Sequence, residues 1–345
     1  MAENRFYISS SPHFSAGSST QKIMAAVLVA LLPEVIAGIV IFGVKALVTV
    51  LVSVASCVMF EALFQKLTGQ KIVVANLSAC VTGVMLALVC SVTVPLWMVV
   101  LGALVAVVVA KGLFGGIGSN VFNPALTGRA FLVISFPAAM GAAWKVPSAA
   151  ASQSEPLLDA ISSSTVLSQI KKGAFTADSS VYLQFFLGER AGCIGETSAL
   201  CILVSLVLLL ALRIIDWRAP FAMLATVALS SFIAGQDVVM ALLSGGVLFG
   251  AVFMVTDYAT TPVTKPGRLA FGFGCGLITF LIRRFGGYPE GVMFSILIMN
   301  ALAPFLNNLT VRMYGYGKKG NRRPDVSKIS MEFNMADARE IQEEK

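Results

Sequence analysis

The chain has 345 residues, of which 57% are hydrophobic and only 12% charged, with a mean hydropathy of +0.84. Soluble domains carry about 25% charged residues, so this composition excludes a water-soluble core as the organising principle. The formal net charge of +7 does not point to nucleic acid. Much of it lies in Lys318, Lys319, Arg322 and Arg323, just past the last apolar stretch, where membrane proteins carry positive-inside anchors.

Residues 1–21 are polar and read as a cytosolic N-terminal segment with no cleavable signal peptide. A bilayer span needs about 20 apolar residues, and the chain has room for about ten. Helices are expected near 22–43, 44–66, 76–92, 95–112 and 124–143, which make a first membrane repeat over 22–143. A polar loop, 144–194, interrupts them. A second membrane repeat, 195–311, then holds helices near 195–214, 219–235, 238–256, 267–284 and 289–311. Residues 312–345 form a charged tail. Lys66, Lys71, Lys111, Arg213, Arg218, Lys265 and Arg268 fall on the side shared by both termini, which places that side in the cytoplasm and the loop outside. Arg283 and Arg284 break the rule.

The two halves also resemble each other. Pro95 and the later Phe114-Gly115-Gly116 map by one offset onto Pro266 and Phe285-Gly286-Gly287, and the same offset carries Leu126 onto Leu297. Five spans per half place the second copy upside down. The expected fold is therefore all-α and polytopic, with two inverted five-helix repeats and broken helices, a plan that puts binding sites near the midplane.

The strongest break lies between Gly112 and Pro124. Gly115, Gly116 and Gly118 permit irregular backbone. Asn123 suits a helix N-cap and Pro124 the first helical position. Asn120 and Asn123 have two readings: they cap their own opened backbone, or they offer amides to a heterocycle with amide-like edges. Acids within spans are costly and point to function. Glu34, which follows Pro33, and Asp257 are the candidates for an ion path, although capping explains Asp257 equally well. Glu61 reads as an ordinary residue close to the cytosolic interface, and Glu196 sits near a span. None of the six cysteines forms a CxxC pair, and His13 is the sole histidine, so no metal site is expected.

The polar loop carries Asp159-Ala160-Ile161-Ser162-Ser163-Ser164-Thr165. Alone, this row of hydroxyls is a serine-rich linker. It also resembles a covalent-flavinylation motif, and it does not stand alone. Gly115-Gly116-x-Gly118-x-Asn120-x-x-Asn123-Pro124-Ala125-Leu126-Thr127-Gly128-Arg129 is similar to a second signature of the same family. Phe186-Leu187-Gly188, with Gly192 to Ser198, is similar to a third, and Ser11-Pro12-His13 with Gln21-Lys22-Ile23-Met24 to its opening. Together they resemble the RnfD family, membrane components of Rnf ion-translocating electron-transport complexes. The near relative is the NqrB component of the sodium-translocating NADH:quinone reductase.

The resemblance implies FMN joined through a phosphoester to Thr165, with Asp159, Ser162, Ser163 and Ser164 completing the motif and a flavin transferase attaching it outside the membrane. It further implies a non-covalent riboflavin at Asn120 and Asn123, beside Gly115, Gly116 and Gly118. The implied protein is one component of a redox-driven translocase, a ferredoxin:NAD oxidoreductase. It passes electrons across a bacterial or archaeal cell membrane, coupled to Na+ or H+ export, in a hetero-oligomer with other Rnf subunits. The rival readings are the B component of the sodium-translocating NADH:quinone reductase, and a solute channel or secondary transporter, which accounts for broken helices but not for the hydroxyl motif.

Overall fold

The computed structural model describes residues 19–141, 179–188, 192–287 and 290–314. The motif from Asp159 to Thr165 lies outside the described residues. Those that are described fold into helices and connecting turns, with no strand among them.

Helix α1, Thr20–Phe42, begins at Ser19, whose side chain accepts from the Lys22 amide. It ends at Gly43, whose φ of 82° turns the chain directly into α2, Val44–Leu67. Among the described residues, three stretches are long and apolar enough to cross a membrane by length and composition: these two helices and Val292–Thr310. Among the described residues, shorter apolar helices occupy five of the other expected stretches.

After a 3₁₀ turn at Val74–Asn76 comes α3, Ser78–Leu88, which is buried on nearly all sides. A helix apolar all round belongs in the interior. It stops earlier than the expected 76–92, and its end meets the other half of the chain: the Gly195 amide donates to Leu88 O at 2.8 Å and the Ile194 amide to Cys90 O at 3.1 Å. Carbonyls left open by a helix that ends inside the protein need such donors, because lipid supplies none.

Helix α4, Leu96–Leu104, continues as a π-helical stretch, Val105–Gly112. Helix α5, Pro124–Ser135, starts as the sequence predicts, with Asn123 accepting from the Leu126 amide at 3.3 Å and Pro124 in the first turn. The helix expected over 124–143 breaks at Phe136, and α6, Pro137–Gly141, follows, because proline disfavours helical backbone before it.

The polar loop contains a helix that its composition did not announce, α7, Ser179–Leu187. Tyr182 donates its hydroxyl to Asp237, the residue that caps the start of a later helix, so α7 docks on the second half.

That half opens with α8, Ala199–Ala211, and α9, Arg218–Ile233. The single helix expected over 238–256 is instead α10, Val238–Leu243, then α11, Val247–Phe249, running into a second π-helical stretch, Gly250–Met254. Gly245, at φ 63°, makes the break. Helix α12, Lys265–Phe285, packs on α9, and Gly272 is what allows it: a Cβ there would lie 2.3 Å from Ala219 O. Helix α13 is Val292–Tyr314.

Arg283 does not act as a loop anchor on the outer face. Its guanidinium donates to Ala241 O at 2.7 Å and Ser244 O at 2.9 Å, the open carbonyls at the end of α10. A buried helix end thus explains this exception to the charge rule. Lys111 likewise contributes nothing to the cytoplasmic charge count, for it is buried in an ion pair.

Candidate functional site

The glycine-rich break lies between the first π-helical stretch and α5. Gly115, Gly116 and Gly118 have φ values of 106°, 92° and 85°, all in the left-handed region that other residues avoid. This backbone carries Asn120 and Asn123, 7% and 3% exposed, to the wall of a cavity of about 600 Å³. The cavity lies between the two halves: α1, α3 and the first π-helical stretch contribute Met24, Ser78 and Lys111, while the second half contributes Leu209, Phe253 and Asp257. Both π-helical stretches thus border it, through Lys111 and Phe253. Such wide turns are rare and concentrate at functional sites.

Each asparagine spends part of its amide on local backbone. Asn120 Nδ2 donates to Phe122 O at 3.1 Å, and Asn123 Oδ1 accepts from Leu126 N. The capping reading is therefore correct for those atoms. It does not use the whole of either amide, and both residues line the cavity. Asn300, on α13, adds a residue that the sequence reading missed. With its side-chain amide turned so that the oxygen faces α5, it accepts from the Asn123 backbone N–H at 3.1 Å and donates to Ile296 O at 3.2 Å. A buried asparagine within an apolar helix was the available signal.

Lys111 brings a positive charge to this wall. Its ammonium lies 2.8 Å from Glu61 Oε1 and 2.6 Å from Ser78 Oγ, with side chains of both ions under a tenth exposed. Glu61 is therefore not an ordinary interfacial residue, as its position near a span end had suggested. It holds a buried cation at the edge of the cavity, a role that becomes visible only when residues fifty positions apart are brought together.

Asp257 also borders the cavity, and its carboxylate accepts from the Ala259 amide at 3.4 Å and Thr260 Oγ1 at 3.1 Å. Its turn-capping role is the one the contacts show. Glu34 lies elsewhere, on α1 against α8. It is 2% exposed, and neither carboxyl oxygen has a hydrogen-bond partner among the described residues. Ser205, beside it, donates its own hydrogen to Ala30 O at 2.6 Å. Glu34 and Asp257 are thus not brought to one site.

A second buried ionic group ties two of the sequence signatures together. Arg129, on α5, reaches Glu196 Oε1 at 3.2 Å, Glu290 Oε2 at 2.7 Å and Cys193 Sγ at 3.4 Å. Glu290 also accepts from the Gly246 amide at 2.7 Å, so the break between α10 and α11 is pinned to the same point. Among the described residues, no group of three or more His, Cys, Asp or Glu is placed to hold a metal ion.

Known proteins resemble the chain over most of its length. A family model described as the NQR2, RnfD, RnfE family matches residues 7–315. The chain is 42% identical to the D component of the Na+-translocating ferredoxin:NAD+ oxidoreductase complex of Acetobacterium woodii, over 92% of this chain and 98% of that protein. It is 36% identical to the D component of the proton-translocating ferredoxin:NAD+ oxidoreductase complex of Clostridium ljungdahlii, over 89% and 95%. The D component of the ion-translocating oxidoreductase complex of Stutzerimonas stutzeri is also 36% identical, over 90% and 96%. With a family match spanning most of its length and relatives well above 30% identity, the chain belongs to the NQR2, RnfD, RnfE family.

Proposed function

We propose that this chain is the RnfD-type membrane component of an ion-translocating ferredoxin:NAD+ oxidoreductase, a redox-driven translocase built from several subunits. The carrying observation is the cavity at the glycine-rich break, largely apolar with Asn120, Asn123 and Lys111 in its wall, in a chain that aligns with RnfD-type relatives over nearly its whole length. The relatives are named for sodium and for protons respectively, so the exported ion is Na+ or H+.

Riboflavin fits the cavity wall. About 600 Å³ is within the range of sites that enclose a small molecule. The amide atoms of Asn120 and Asn123 that local backbone leaves over suit the edge of a heterocycle, and Lys111 adds a positive charge. Thr165 carries FMN through its hydroxyl oxygen, with Asp159 and Ser162 to Ser164 presenting it to a flavin transferase. When bound, these flavins supply one- and two-electron redox chemistry. The protein's part is position, electrostatics and exclusion of water.

Ten spans in two inverted repeats, with both termini cytoplasmic and the flavinylated loop outside, are the topology we assign. In support, Pro95 caps α4 and Pro266 lies in the first turn of α12, the positions that the internal offset pairs. In the first half α3 is short and buried, and in the second the helix expected over 238–256 is interrupted. Glu34 is the better candidate for an ion path, because the Asp257 carboxylate is occupied by its own turn.

The test is a denaturing gel of the membrane-expressed chain made with active flavin transferase. A flavin-fluorescent band is expected, absent in Thr165→Ala. A dark wild-type band, or intact mass without FMN, overturns the flavoprotein reading.

A further inference from the structure

The connection between α8 and α9 runs from Leu212 to Trp217 and joins two apolar helices of 13 and 16 residues. It is unusually charged for such a place. Arg213 and Asp216 lie within it, Arg218 opens α9, and Arg268 approaches from the first turn of α12. Arg218 and Arg268 both lie 2.8 Å from Asp216 Oδ2. Partial burial works against ionisation of Asp216, but the Arg218 amide and both guanidiniums outweigh it and hold the carboxyl below the ordinary carboxylate range.

Asp216 can balance only one of its neighbours. Arg213 borders the same cavity, of about 420 Å³, and its side chain has no ion pair or hydrogen bond among the described residues. Its φ is 54°, a left-handed conformation that costs a non-glycine residue free energy and persists where the surroundings impose it. Three guanidiniums therefore face one carboxylate, which leaves two positive charges unmatched around the cavity.

The rest of the wall is amphipathic. Trp217 and Tyr258 are half-exposed, the Arg218 guanidinium lies 5.3 Å from the Trp217 ring centroid, and Leu210, Ile214 and Val255 are apolar. Tryptophan and tyrosine at the end of apolar helices mark the level of lipid headgroups. Guanidinium forks match phosphate oxygens in geometry as well as charge.

We propose that this arginine-lined cavity binds the phosphate of an anionic phospholipid headgroup, with Arg213 as its unspent ligand. A free phosphate shares that chemistry, but the apolar wall and half-exposed rings suit a molecule that also has a glycerol and acyl chains. The charge excess favours a headgroup with net negative charge over a zwitterionic one.

The assembled complex, extracted in mild detergent and stripped of lipid, is titrated by native mass spectrometry with phosphatidylglycerol or phosphatidylcholine, each with and without inorganic phosphate. Wild type should take up one more phosphatidylglycerol than phosphatidylcholine at matched concentration. Because Arg213 supports no contact that holds the fold, Arg213→Gln should assemble normally and bind phosphatidylglycerol about five-fold more weakly at this site. Arg213→Lys should recover most of the loss. Equal uptake of the two lipids, or unchanged binding in Arg213→Gln, overturns the assignment. Displacement of phosphatidylglycerol by millimolar inorganic phosphate overturns the lipid as the source.

Discussion

Replacing Arg129 by Met removes a cation that touches both Glu196 and Glu290. The guanidinium is 8% exposed, and the carboxylates it serves are 6% and 19% exposed, so water cannot take its place without opening the packing between α5, α8 and α13. Removing one partner of a buried ion pair costs about 3–5 kcal/mol, because the charge left behind keeps its desolvation penalty. At about 1.4 kcal/mol per factor of ten, that is a loss of roughly two to four orders of magnitude in the folded-to-unfolded ratio. Arg129→Lys keeps the charge but cannot span two carboxylates as a fork does, so it should lose an intermediate amount. The measurement is unfolding of the purified chain in bicelles, driven by a denaturing detergent. A change below about 1 kcal/mol in Arg129→Met, the size of an exposed pair, would refute the view that this cluster staples the halves.

Three further outcomes are expected. Gly272→Ala places a methyl 2.3 Å from Ala219 O, which forces α9 and α12 apart and should cost about 1–3 kcal/mol in the same assay; an unchanged midpoint would mean that the helices separate freely. Asn300→Ala removes the acceptor of the Asn123 amide, so riboflavin retained through purification should fall while fluorescence from the Thr165 loop is kept; equal loss of both would point to misfolding instead. Asp216, whose carboxyl is held low, stabilises the fold fully above its unfolded value of about 3.9 and loses that contribution as pH falls through the lower folded value. Asp216→Asn should therefore be less stable at pH 7, and the gap should close only below about pH 4; a gap that closes between pH 5 and 7 would contradict this account.

Much of the helical layout was legible because apolar runs bounded by Gly, Pro and polar residues leave few alternatives in a bilayer. Local chemistry was legible too. The Asn123–Pro124 start of α5 follows from two residues whose preferences do not depend on distant partners. Two helices that stopped short of expectation have ends satisfied by remote groups. Helix α10 stops at Leu243 because Arg283, forty positions later, takes its carbonyls, and α3 stops at Leu88 because Gly195 donates to it. The helix at Ser179–Leu187 was hidden by the polar loop around it, and it docks through Tyr182 and the buried Phe185.

Charges divide in the same way. By itself the chain determined that it belongs in a membrane, that it breaks at the Gly112–Pro124 segment, and that it carries the family's signatures, since hydropathy, backbone preference and motif order are properties of neighbouring residues. Which buried charges pair was decided only by tertiary structure. Glu61 finds Lys111, and Arg129 gathers Glu196 and Glu290, because in a low-dielectric interior an ion is tolerated only where a partner arrives. Those partners come from elements far apart in sequence, and one of the ions they hold, Lys111, stands in the wall of the cavity beside Asn120 and Asn123.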